Sequence, residues 1–202
     1  MRIVMGKTIL TFALVLVISF LNEYNCLAQT APKDEIEVGI GALTVPGIAN
    51  VATEVFSSVF SLGSYTTQSN STGSLTAGYK HRVAGHLDLG GLFLVNHISQ
   101  TIYHNDTQTG SGHINWTALM GTLDYNWVDH QSFRLYSGLA LGASIYKKKQ
   151  ENNSGQTMTQ SNTYLAFQAN LLGAKLGKSF SGGLMLGFGY EGLIGLNLGY
   201  RF

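Results

Sequence analysis

Apolar and polar positions alternate with period two along most of the chain, in blocks separated by polar or glycine-containing breaks. That period marks β-strands with two unlike faces. Eight blocks qualify, at about 35–44, 73–83, 86–103, 113–128, 132–148, 161–176, 182–191 and 193–202. The stretch 46–64 departs from the pattern. There Ile48, Val51, Ala52, Val55, Phe56, Val59, Phe60 and Leu62 recur at helical spacing, which predicts a short amphipathic helix in the first connection. The other connections largely alternate in length. VAGH (83–86), DHQS (129–132) and the turn around Lys178 to Gly182 are tight, whereas NDTQTGSG (105–112) and KKQENNSGQTMTQ (148–160) read as long polar loops. A very short seventh connection falls near Glu191 and Gly192. Tight turns at one end and longer connections at the other are the pattern of a membrane-spanning antiparallel barrel.

What lies opposite the apolar residues separates a membrane barrel from a soluble, lipocalin-like one, in which the apolar face is inside. In the last block Ile194, Leu196, Leu198, Tyr200 and Phe202 share a face, opposite Gly195, Asn197, Gly199 and Arg201. In the fifth, Phe133, Leu135, Leu139, Leu141, Ala143 and Ile145 oppose Arg134, Tyr136, Gly138, Ala140, Gly142 and Ser144. In the seventh, Leu184, Leu186, Phe188 and Tyr190 oppose Gly183, Gly187, Gly189 and Glu191. The second face is too poor in Lys, Glu and Gln for a water-facing surface and suits the inside of a narrow barrel. By this register Glu37, Lys80, Arg82, Asp88, Asp124, Arg134, Glu191 and Arg201 point inward as a barrel-interior charge network. Four acids against four bases is the balance that a buried interior requires, because an unpaired internal charge is costly. Tyr79, Tyr125, Trp127, Phe133, Tyr190, Tyr200 and Phe202 fall near strand ends on the apolar face, where aromatic girdles sit.

Composition fits the same picture. Charged residues make up 11% of the 202 positions, glycine supplies 25, and the net charge is +1. Soluble domains carry roughly 25% charge. A lipid-facing half on every strand accounts for the deficit, since Lys or Arg at the bilayer midplane costs about 2–4 kcal/mol. Without a basic excess, nucleic acid is not an expected partner. Residues 1–28 read as a secretory signal peptide, with Arg2 and Lys7 ahead of the uncharged run Thr8 to Leu21 and a small-residue cleavage site at Ala28. The remaining 29–202 form the barrel domain. Loss of Arg2, Lys7 and Glu23 leaves ten bases and ten acids, and loss of Cys26 removes the only cysteine, so no disulfide framework is available.

Candidate chemistry is sparse. His97 and Ser99 sit two apart on one side of a strand, but no spacing assembles a catalytic triad, and the histidines read as interfacial or loop residues. His97, His104 and His113 lack the tight spacing of a metal site. The glycines of LGFGYEG (186–192) fall inside a strand, which argues against a phosphate-cradling loop. Lys147, Lys148 and Lys149 form the only charge run, at the outer end of the fifth strand, where they anchor the barrel at headgroup level or meet lipopolysaccharide phosphates. These residues predict no catalytic, cofactor or metal site.

Signal peptide, eight amphipathic strands and the terminal LGYRF together resemble the small outer-membrane β-barrel proteins of Gram-negative bacteria, the OmpA- and OmpX-like barrels. YSGLALGASIY (136–146) and LGFGYEG (186–192) are similar in character to sequences of that family, and the resemblance spans about 35–202. It implies an all-β fold, an eight-stranded antiparallel transmembrane β-barrel with a short amphipathic helix in the first extracellular loop and both termini periplasmic. It also implies a monomer among outer-membrane lipids and lipopolysaccharide, delivered by periplasmic chaperones to the barrel-assembly machinery. Leu198, Tyr200 and Phe202 would be the assembly signal. The family's roles make a non-enzymatic structural or adhesive function the leading expectation. A narrow pore or carrier for small or apolar solutes is the alternative, followed by a lipid-modifying enzyme.

Overall fold

The computed structural model describes residues 33–51, 65–104, 107–152 and 157–202; the expected signal peptide and residues 52–64 of the expected helix lie outside them. Eight antiparallel strands run in chain order: β1 (Asp34–Ala42), β2 (Tyr65–Ala84), β3 (Leu87–His104), β4 (Thr107–His130), β5 (Phe133–Asn152), β6 (Thr157–Gly177), β7 (Phe180–Gly189) and β8 (Ile194–Arg201). Each pairs with its sequence neighbour, and β1 pairs with β8 from Glu35↔Arg201 to Ala42↔Ile194, which closes the barrel. Closure leaves no free sheet edge, the condition for strands to lie in lipid.

The pleat sorts side chains as expected for such a barrel. Outward positions form apolar rows across neighbouring strands, such as Ala77–Phe93–Leu119–Ala143–Leu165 and, one level higher, Ile40–Leu75–Val95–Thr117–Ile145. Leu119 and Leu165 are 68% and 73% exposed, so these rows form a broad apolar belt. Trp127, Phe180, Tyr200 and Phe202 lie outward near the tight-turn end, Tyr200 against both Phe180 (4.7 Å) and Phe202 (5.9 Å). Tyr190 departs from the expected girdle. It is 5% exposed and its hydroxyl lies 3.1 Å from Ser144 Oγ in the lumen. The cause is Gly189, whose φ of +148° breaks the alternation at the end of β7 and swings the next side chain inward.

The expected long loops are strand for most of their length. β4 begins at Thr107 and β6 at Thr157, while β5 continues to Asn152. Polar residues and glycine fill these stretches except at Met158, so the alternation that signals a strand vanishes where the sheet leaves the membrane. β2 to β6 therefore rise as a tall β-ribbon, whereas β7, β8 and β1, with 10, 8 and 9 residues, stop at a low rim. Over that rim sits a helix, α1 (residues 45–51). Thr44 caps it by accepting a hydrogen bond from Gly47 N–H at 3.2 Å, and the Asn96 amide donates to the same hydroxyl at 3.0 Å from inside the mouth. Asn50 donates to Ser69 Oγ and accepts from Gln100, so the polar side of α1 spans the mouth while Ile48 and Val51 stay exposed.

An exposed leucine of a soluble protein tolerates arginine, but one in lipid does not. Leu119→Arg is expected to lower unfolding stability in phospholipid vesicles by about 2–4 kcal/mol. Thr159→Arg, above the belt, should change it by less than about 0.5 kcal/mol. Equal effects would contradict the assignment of the belt.

Candidate functional site

The lumen is layered. Its ribbon-end half holds an apolar cluster of Leu92, Leu94, Ala118, Met120, Ala140, Ala166 and Tyr190, against which Trp116 packs. Gln168 joins this cluster to the β7–β8 turn, donating to Asn170 Oδ1 (2.9 Å) and the Gly192 carbonyl (3.2 Å) and accepting from Glu191 N–H (2.9 Å).

The tight-turn half holds a continuous chain of charges. Lys80 Nζ lies 2.7 Å from both Asp124 and Glu37, and Lys175 Nζ lies 2.6 Å from Glu37 and 2.7 Å from Glu35. Glu35 also meets Arg134 at 2.6 Å and Arg201 at 3.8 Å. Arg134 approaches Asp88 at 3.8 Å, and Arg82 pairs with Asp88 at 2.7 Å and with Asp129. The Tyr136 ring lies beside both ammonium groups, its centroid 5.5 Å from Lys80 and 5.4 Å from Lys175. That ring needs a glycine beneath it, since a Cβ on Gly173 would stand 2.2 Å from Tyr136 Cζ. Five acids and five bases thus share a space that water barely enters. Two lumen cavities, one beside Glu37 and Glu191 and one beside Arg82 and Arg134, measure about 20 and 10 Å³, about one water each.

Seven of the eight residues expected in the interior network, namely Glu37, Lys80, Arg82, Asp88, Asp124, Arg134 and Arg201, sit in this chain of ion pairs. Glu191 stands apart. It lies in the β7–β8 turn, and among the described residues no ion pair reaches it. Three further partners, Glu35, Lys175 and Asp129, complete this chain of ion pairs. Glu35 shares its parity with Glu37 and was legible by the period-two rule. Lys175 is hidden by a bulge at Leu171–Leu172, where both leucines face outward and the parity of β6 reverses. A second bulge, at Trp127, does the same for Asp129 in β4.

On the outer surface the apolar belt ends at Leu75–Val95–Thr117–Ile145, and the next outward row is polar: His97–Asn115–Lys147–Ser161. Above it runs Ser99–His113–Lys149–Thr159. Of the lysine run, Lys147 and Lys149 are exposed on this face and Lys148 is half-buried on the other. His97 Nδ1 lies 2.6 Å from Asn115 Oδ1 and His97 Nε2 lies 3.3 Å from Ser99 Oγ, with the His113 ring stacked on His97 at 5.5 Å. Among the described residues no group of three or more side chains is placed to hold a metal ion.

No protein-family model and no curated protein matches the chain. Solved structures do. The crystal structure of Ail, the attachment invasion locus protein of Yersinia pestis, matches with 16% identity and a TM-score of 0.50, covering 86% of this chain and 100% of that one. The Ail complex with the heparin analogue sucrose octasulfate matches over the same shares, with 15% identity and a TM-score of 0.50. The likeness is one of fold, that of the eight-stranded outer-membrane barrels. With an apolar belt outside and a closed ladder, the chain is an integral β-barrel of the outer membrane.

Glu35 holds Lys175, Arg134 and Arg201 at once. Glu35→Ala should therefore cost about 3–5 kcal/mol, because it strands buried cations. Urea unfolding in vesicles measures this, and adding Lys175→Met should recover part of the loss. A cost below 1 kcal/mol would show that the pairs are solvated.

Proposed function

We propose that the chain is a sealed outer-membrane anchor whose raised β-ribbon meets partners outside the cell, a structural or adhesive role exercised by binding. The observation that carries this reading is the contrast between a filled lumen and a tall polar wall. From the first polar row, β3 continues from His97 to His104, roughly 20 Å at about 3.3 Å per residue. β4 returns over the same height. Strand built beyond the membrane has no role in spanning it, and its pairing presents polar side chains on a fixed frame rather than on a mobile loop.

A narrow pore is the weaker reading. The apolar cluster, the ion-pair chain and α1 over the mouth stand in series along the lumen. Lys147 and Lys149, just above the belt, are placed for lipopolysaccharide phosphates at headgroup level. Leu198, Tyr200 and Phe202, in one outward row on the closing strand, are the proposed signal to the barrel-assembly machinery. Export through the segment 1–28 and delivery by periplasmic chaperones complete the route.

Ail was solved with a heparin analogue, so heparin-coated wells make a suitable probe beside cultured epithelial cells. Cells displaying the full chain should adhere several-fold better than cells displaying a chain trimmed at Thr101↔Ser111 and Lys149↔Thr159, with heat-modifiable migration unchanged. Equal adhesion to both surfaces would defeat the adhesive reading. In planar bilayers the full chain should give no steady conductance, and a stable open level would favour the pore.

A further inference from the structure

The geometry points to a serine hydrolase site for lipid acyl esters on the outer face of the barrel, with Ser99 as nucleophile, His97 as general base and Asn115 as the group that orients it. This goes beyond a binding role by adding chemistry at the foot of the same ribbon.

The three side chains come together through register. His97 and Ser99 are two apart on β3 and so share its outward face, and Asn115 on β4 stands directly opposite His97. The Asn115 amide oxygen can only accept, so it holds the proton on His97 Nδ1, 2.6 Å away. That leaves the lone pair on Nε2, to which Ser99 Oγ donates at 3.3 Å. A serine, a base in the right tautomer and an orienting group form the nucleophile arrangement. The 3.3 Å separation matches the loose hydrogen bonds of catalytic groups without substrate. The imidazole is held further by the stacked His113 ring and, at its backbone, by Thr72 Oγ1, which donates to the His97 carbonyl at 3.1 Å. Thr72 lies in a bulge of β2 between Ser71 and Ser74, opposite His97. Such bulges re-aim local side chains.

Location selects the substrate class. His97 and Asn115 occupy the first polar row above the belt, one level above Val95 and Thr117. In a bilayer that level is the boundary between acyl chains and headgroups, where the acyl esters of lipids lie. An open depression of about 560 Å³ runs down from His97 and Asn115 between Ile40, Leu75 and Val95, and gives an acyl chain an apolar bed. Lys147 and Lys149 pair with Asn115 and His113 and share their outward face, which sets two cations beside the site for a lipid phosphate.

The reaction balances with water as the second substrate. Ser99 Oγ bonds to the ester carbonyl carbon while its proton passes to His97 Nε2. The carbon–oxygen bond to the leaving alcohol breaks, and His97 returns the proton to that alcohol oxygen, leaving an acyl-serine. Water then bonds to the carbonyl carbon, giving a proton to His97 Nε2. The acyl–Oγ bond breaks, Ser99 recovers the proton, and a free fatty acid departs.

The test uses the full chain folded into detergent–lipid micelles and into vesicles, with folding of every variant checked by heat-modifiable migration. Phosphatidylethanolamine and purified lipid A are supplied separately, and fatty-acid release is followed by mass spectrometry; the lipid that is cleaved identifies the natural source of the ester. A fluorophosphonate reagent is applied in parallel, since it labels an activated serine whatever the substrate. Fatty-acid release is expected to fall at least about 100-fold in Ser99→Ala and His97→Ala, and about tenfold or more in Asn115→Ala. The fluorophosphonate adduct should map to Ser99 and be lost in His97→Ala. Release that persists in Ser99→Ala overturns the assignment. So does a folded barrel that neither releases fatty acid nor takes up the reagent at Ser99. Adhesion of the ribbon-trimmed chain reads out separately, so failure of one proposal leaves the other standing.

Discussion

In the hydrocarbon of a bilayer a backbone amide has no water to turn to, so every N–H and C=O at that depth must find its partner within the protein. In this chain the pairing of β1 with β8 meets that demand, and the rest of the architecture follows from it. Eight strands closed on themselves enclose a space only wide enough for side chains. What points inward must therefore fit and be electrically satisfied, and what points outward must be apolar. Sparse charge, abundant glycine and slight overall hydropathy are the averages of those two opposed faces.

The lumen meets its share of the constraint in two ways. Toward the ribbon it is filled like an ordinary core, by Leu92, Leu94, Met120 and Tyr190. Toward the tight turns it is filled by charge, in a chain where Glu35, Glu37 and Asp88 each contact more than one cation. Sharing is what makes such burial tolerable, because a desolvated carboxylate that meets two or three cations recovers more of its lost hydration. The outer surface solves a different problem. Just above the belt, polar groups bond to one another across strands, as His97 does with Asn115 and Ser99, instead of facing acyl chains alone.

Strand number, barrel closure and facing were legible in the sequence because period two is imposed directly by the pleat. Departures arose where that period is interrupted or carries no contrast. Bulges at Trp127 and Leu171–Leu172 reverse parity, so Asp129 and Lys175 were invisible to a count of alternate residues. Tyr190 reads as an outward aromatic until Gly189 turns the chain. In the outer stretches of the ribbon the alternation carries no apolar face, and Thr107 to Gly112 looks like a loop although it is paired strand. The His97–Asn115 contact is separated by 18 residues along the chain. Its existence depends on hairpin register, which the sequence of either strand alone does not contain.

The unequal height of the wall gives the barrel a front and a back. With β2 to β6 tall and β7, β8 and β1 cut low, the extracellular end is an oblique plane facing sideways across the membrane. Among the described residues, a molecule approaching along the membrane surface meets a raised wall on one side and a low rim on the other. In a crowded outer membrane this makes the protein directional: rotation about its own axis changes what it presents to each neighbour.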